Sequence, residues 1–233
     1  MLFRSVSLTD KLKGLLSDHQ AGSLSSQVYQ ESANKCDNEE IYTIIDLLDN
    51  AIAWQKQVRF KYRTRKIDKE NIKSYTTKSF VVSPYALIWK DDRYYLVCNK
   101  MSHDNLMNLR LDRIRNLMIL DAPARPVSEC SEYEVFDPAD YSAKMFNMFS
   151  GTVETVTLRC HLDLREQILD RFGSKIPLTA VDIWHFDTDV KAAVSDGFVS
   201  WIMQFGDMIK VVKPQYLADM VLEKAQKILK VYE

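Results

Sequence analysis

A chain of 233 residues can hold one or two domains with a sizeable core, and 46% hydrophobic with 27% charged residues is ordinary for a globular protein. No apolar run approaches the roughly 20 residues that span a bilayer, and the opening MLFRSVSLTDKLKGLLSD carries charges throughout, so neither a membrane segment nor a signal peptide is expected. The net charge of −1 hides an asymmetry: residues 58–115 hold 14 Lys/Arg against 6 Asp/Glu, and the remainder 17 against 26.

The basic segment also carries Phe60, Tyr62, Tyr75, Phe80, Tyr85, Trp89, Tyr94 and Tyr95. Cations interleaved with rings suit an anionic ligand with stackable bases. The plainer reading is a solvated basic face over an aromatic core. Cys36, Cys98, Cys130 and Cys160 are far apart with no C-x-x-C pair, as in a reduced, cytoplasmic protein. His19, His103, His161 and His185 are equally dispersed and suggest no zinc site.

In chain order, residues 7–17 (SLTDKLKGLLS) have helical apolar spacing behind a Ser7 cap, and 20–38 form a polar connector. Asn38 then caps a helix over 39–57 with the stripe Ile41, Ile44, Ile45, Leu48, Ile52 and Ala53. Residues 58–63 (VRFKYR) alternate strictly, placing Val58, Phe60 and Tyr62 on one strand face and Arg59, Lys61 and Arg63 on the other. The latter row either extends an electrostatic track or keeps an outer face soluble. Residues 64–78 read as a long exposed loop, 79–83 as a strand, and Pro84 as a sheet edge or bulge.

Residues 85–89 and 94–98 make a β-hairpin about Asp91-Asp92, with Trp89 facing Tyr94 and Leu87 facing Leu96. Tyr85, Leu87, Trp89, Tyr94 and Leu96 then share one face, with Ile88, Tyr95 and Val97 on the other. Residues 108–115 (NLRLDRIR) come next as a fifth strand, and five sequential antiparallel strands suggest a small barrel. Residues 121–126 (DAPARP) mark a boundary. Beyond it come a helix over 138–150 stopped by Gly151, a strand at 152–161 and a helix at 164–172 closed by Gly173. Strands at 180–186 and 190–195, a helix at 198–205, a strand at 209–212 and a last helix from Pro214 to Val231 complete the chain. The order β-α-β-β-α-β-α suggests a ferredoxin-like sandwich with an added helix.

There is no glycine-rich phosphate loop, G-x-S-x-G, H-E-x-x-H or paired Cys/His spacing. No catalytic, cofactor or metal set is therefore expected. Glu39-Glu40 and Asp91-Asp92 are accounted for by a helix start and a turn.

Pro84-Tyr85, Arg93-Tyr94-Tyr95-Leu96-Val97 and Leu109-Arg110-Leu111-Asp112-Arg113-Ile114 together resemble the WYL domain, with Tyr94 where the family name has Trp. The opening helix with Val58-x-Phe60-x-Tyr62 fits too. So does the tail from Trp201 through Gly206, Val211-Val212 and Pro214 to Tyr232, similar to the C-terminal extension of such proteins. The resemblance implies a connector over 1–38, a WYL domain over 39–122 with an Sm-like or SH3-like five-stranded barrel, a linker with a helix over 123–150, and an α+β extension over 151–233. It implies the ligand-sensing part of a bacterial transcriptional regulator, working as a homodimer. The winged helix-turn-helix that usually precedes such domains is expected in a part not present in this chain, which would reach promoter DNA.

Carried over by position, Tyr62, Ser83, Tyr85, Tyr95, Arg110 and Arg113 are the candidate ligand residues. The arginines would clamp phosphate and the tyrosines would stack on or donate to bases of a nucleotide or single-stranded nucleic acid. The competing reading makes the tyrosines core rings and pairs Arg113 with Asp112. A dimerisation module without ligand and an Sm-like RNA-binding protein are the alternatives to a sensor.

Overall fold

The computed structural model describes residues 40–66 and 74–233. The expected helix at 7–17, the connector and the Asn38 cap lie outside the described residues. What remains is an α+β protein with two antiparallel sheets.

Helix α1 (Glu40–Ala53) buries Ile44, Leu48 and Ala51, an i, i+4, i+7 stripe. It is shorter than expected: Gln55 turns at φ 52°, and Ala53 is exposed where Ala51 is buried. Strand β1 (Lys56–Lys66) then buries Val58 and Phe60 and exposes Arg59, Lys61 and Arg63, as the alternation requires. It outruns its expected length. Thr64, Arg65 and Lys66 pair with Thr76, Tyr75 and Ser74 of β2 (Ser74–Lys90), so much of the expected loop is a ribbon. Apolar alternation is missing there because the ribbon has no core on either side, and β-branched and aromatic pairing carries it instead.

Pro84 sits at a bulge. Pro84 opposes Cys98 and Ala86 opposes Val97 on β3 (Arg93–Asn99), leaving Tyr85 as the extra residue. The bulge resets the alternation, so Tyr85 packs with Ala86, Ile88, Tyr95 and Val97 rather than on the Leu87 face. The turn is as expected: Asp91 and Asp92 both have positive φ, Trp89 faces Tyr94 and Leu87 faces Leu96.

The expected strand over 108–115 is in fact β4 (Met107–Arg110), a 3-10 turn (Leu111–Arg113) and the start of β5 (Ile114–Pro123). Leu111 and Ile114, three apart and both fully buried, anchor that turn. The first sheet has the order β4-β3-β2-β1-β5. Among the described residues no ladder joins β4 to β5, so the five strands do not close into the expected barrel. The chain between them spends its backbone groups on the turn.

After β5, helix α2 (Pro138–Lys144) is capped by the Asp137 carboxylate and ends six residues before the expected stop. Asn147 and Met148 take positive φ, which sends Phe146 into one apolar cluster and Met145 and Met148 into another. Gly151 serves close approach, since a Cβ there would lie 2.0 Å from the Val194 carbonyl oxygen.

The second sheet runs β7-β8-β6-β9 from β6 (Thr152–His161), β7 (Thr179–Ala180), β8 (His185–Val194) and β9 (Ile209–Lys213). Helices α3 (Arg165–Phe172), α4 (Asp196–Met203) and α5 (Gln215–Tyr232) accompany it. Strand β8 is continuous where two strands were expected. Asp187 falls between the two expected strands, yet it lies directly opposite Arg159 and pairs with it.

Three cores result. One lies between α1 and the first sheet around Leu48, Phe60, Leu96 and Ile114. A second gathers Leu158, Ile168, Phe198, Ile202 and Leu217. The third fills the space between the hairpin and the segment after β5 with Ile88, Val97, Tyr141, Met145, Met148 and Ala193. Each buried Val, Leu, Ile, Phe or Met side chain among these contributes about 1.5–3 kcal/mol. The hairpin, apolar on both faces, thus belongs to two cores, as its composition demanded.

Candidate functional site

With Leu111 and Ile114 pointing inward, the turn leaves Arg110, Asp112, Arg113 and Arg115 at the rim of the first core, all partly buried. Arg110 donates from Nε to Asp112 Oδ1 at 3.0 Å and from Nη2 to Oδ2, a two-pronged pair whose partners are 24% and 23% exposed. The Arg110 backbone N–H donates to Tyr62 Oη at 3.2 Å. Tyr95 stands directly opposite Arg110 on the ladder.

Burial raises the Tyr62 hydroxyl above its ordinary pKa, against the opposing pull of the Arg110 hydrogen bond and the Arg113 guanidinium. Burial also pushes the Asp112 carboxyl up, but the Arg110 hydrogen bond and the charges of Arg110, Arg113 and Arg93 outweigh it and hold the carboxyl below the usual carboxylate range. Arg115 donates to the carbonyl oxygens of Asp112 (2.8 Å) and Ile114 (2.6 Å) and lies 3.7 Å from Glu40. Three guanidinium groups, those of Arg110, Arg113 and Arg93, therefore act on one carboxylate, while Arg115 is held by backbone carbonyls and Glu40 beside them. That surplus of positive charge, next to two phenol rings, can take up an anion.

Four of the six sequence candidates, Tyr62, Tyr95, Arg110 and Arg113, meet at this turn. Ser83 and Tyr85 do not; they hold the segment after β5. Ser83 Oγ, fully buried, accepts from the Arg125 N–H at 2.9 Å. Tyr85 Oη donates to the Arg125 carbonyl at 2.8 Å and lies 3.2 Å from Cys130 Sγ. Burial and that cysteine push the Tyr85 hydroxyl far above its usual pKa. A separate cleft of about 300 Å³, lined by Leu106, Cys130, Tyr133, Tyr141, Met145 and Val153 among others, includes none of the six.

Family models match this sequence in two places: the WYL domain over residues 43–119 and the WCX domain over residues 152–229. The chain is a WYL–WCX protein. Among solved structures it is similar to proteasome accessory factor B/C (PafBC) of Arthrobacter aurescens, at 17% identity over 86% of this chain and 29% of that one, with a TM-score of 0.36. It is also similar to a CRISPR Cas-related protein, at 12% identity over 94% of this chain and 56% of that one, with a TM-score of 0.46. The chain thus spans less than two thirds of either. No curated protein matches it. Among the described residues no helix is long and apolar enough to cross a membrane.

Sequence reasoning missed how the WYL hairpin and the WCX region are tied together through α2. Lys90 Nζ donates to the carbonyls of Ser142 (2.8 Å) and Met145 (2.9 Å) at the C-terminal end of α2. Arg171, from α3 of the WCX region, donates to Ala143 (3.0 Å) and to the same Met145 oxygen (2.9 Å). Two cations on carbonyls at a helix C-terminus are favourable, although burial and the neighbouring Arg171 charge lower the Lys90 pKa. These residues lie 81 positions apart and share no motif, so only the fold reveals them.

Proposed function

We propose that the chain is the non-catalytic, ligand-sensing part of a transcriptional regulator, and that it holds a nucleic-acid-derived anion at the Leu111–Arg113 turn. The ligand is a nucleotide or a short single strand. Arg113 and the free N–H groups of Arg110 take its phosphate, while Tyr62 and Tyr95 flank its base. Family membership supports the regulatory role, and the surplus of guanidinium around Asp112 carries the choice of an anion.

In this reading the first sheet is an Sm-like or SH3-like barrel left open beside the turn, and the β7-β8-β6-β9 order with its crossing helices is that of a ferredoxin-like unit. Occupation of the turn shifts β4 and β5, and the Lys90–Met145–Arg171 junction passes the shift to the WCX region. The protein works in the cytoplasm as a homodimer whose promoter contact lies in another domain. Fluorescence polarisation with a short 5′-phosphorylated oligonucleotide tests the site. Binding that falls at least tenfold in Arg110→Ala supports it, and equal binding by both proteins removes it.

A further inference from the structure

The opposite side of β1 carries chemistry that the turn does not use. Arg59, Lys61, Arg63 and Arg65 point away from the first core and are exposed. Alternate residues on a strand repeat every ~6.8 Å, so the four cations form a straight row about 20 Å long. Across residues 59–66 and 74–81 there are six Lys/Arg and not one Asp or Glu. Among the described residues, no carboxylate pairs with any of the four: Arg59 contacts Met118 Sδ at 3.8 Å, and Arg63 lies over the Tyr75 ring at 4.7 Å.

Flanking positions add hydrogen-bonding groups and a ring. Ser79 stands across from Lys61, Thr77 from Arg63, and Tyr75, 48% exposed, from Arg65. Leaving so many like charges on one strand face is unfavourable unless a polyanion screens them.

We infer that this outer face of β1 and β2 is a second nucleic-acid surface, taking a single-stranded backbone along the row Arg59–Lys61–Arg63–Arg65 with Tyr75 as a stacking ring. A linear repeat of cations can track an extended strand phosphate by phosphate. Four of the six cations share this face, with Lys66 and Lys78 on the other, and a row of four along one face suits a single strand laid on it. The row lies on the face of β1 opposite Tyr62, and at its middle Lys61 stands across from Arg115 of β5.

The test is binding of an oligothymidylate of about 12 nucleotides by the full chain over a salt series, with duplex DNA of equal length and phosphatidylserine vesicles as comparisons. In Arg59→Gln/Lys61→Gln/Arg63→Gln the slope of log K against log salt is expected to fall by about 2. In Tyr75→Leu the affinity is expected to drop about tenfold. Circular dichroism should be unchanged, since all these residues are exposed. The short 5′-phosphorylated oligonucleotide should bind the triple variant as it binds the wild type, so failure of the turn and failure of the row are read separately. Unchanged oligothymidylate affinity and slope in the triple variant overturn the proposal, as does tighter binding to duplex or to vesicles than to the single strand.

Discussion

Two arginines in this chain make the same two-pronged contact with an aspartate. Arg159 reaches Asp187 at 2.8 and 2.9 Å across the second sheet, and Arg110 reaches Asp112 within the turn of the first. Their surroundings differ. Arg159 and Asp187 face each other on adjacent strands with Asp182 as a further neighbouring charge, so the pair closes on itself as a cross-strand staple. Arg110 and Asp112 sit among Arg93, Arg113 and Arg115, and the pair leaves positive charge over. The wider regions repeat the contrast, with 10 Lys/Arg against 12 Asp/Glu over residues 152–233 and the basic excess confined to 58–115. An ion pair thus signals a site only when the charges around it fail to cancel.

The largest effect should come from the double variant Arg110→Ala/Arg113→Ala. Charge-assisted hydrogen bonds contribute roughly 1.5–3 kcal/mol each, so affinity for a short 5′-phosphorylated oligonucleotide should fall at least about 100-fold by calorimetric titration. Arg159→Ala should leave it unchanged, and equal losses in both would erase the contrast. Next, Lys90→Met should lower stability by about 1–2 kcal/mol in urea unfolding, because the Ser142 and Met145 carbonyls lose a charged donor. Tyr85→Phe should cost about 1 kcal/mol in stability and nothing in ligand affinity, marking it as an anchor of the Arg125 segment.

Much of this was legible in the residues. The Asp91-Asp92 turn, the Trp89–Tyr94 pair and the inward face of β1 came from alternation alone, and the family's motif order pointed to the arginine turn. Tyr85 was misplaced because a bulge at Pro84 shifts the alternation by one residue, and nothing in the apolar pattern records that shift. The pairing of residues 64–66 with 74–76 escaped because strands without a core show no period. The continuity of β8 was hidden because the partner of Asp187 lies 28 residues earlier in the chain. Local chemistry is written in the sequence, whereas pairings between distant polar groups emerge only with the fold.

The smallest predicted effect is acidic. Arg159 holds the Asp187 carboxyl below its usual range, as the arginines around Asp112 do there. A carboxylate with a depressed folded-state pKa stabilises above its unfolded pKa, near 3.9, and loses that contribution as pH falls through the folded value. Asp112→Asn and Asp187→Asn should therefore each show a deficit below about 1 kcal/mol at neutral pH. In urea unfolding across pH, both deficits should shrink below about pH 4. Acid should treat the two pairs alike, and only ligand should separate them.

The most direct test of the central claim is the salt dependence of short-oligonucleotide binding, measured side by side for the wild type and Arg110→Ala/Arg113→Ala. Two phosphate contacts at the turn predict a slope of log K against log salt near about −1.4 in the wild type that approaches zero in the variant. A flat line for the wild type, or the same slope in both proteins, would contradict an anion site at the arginine turn.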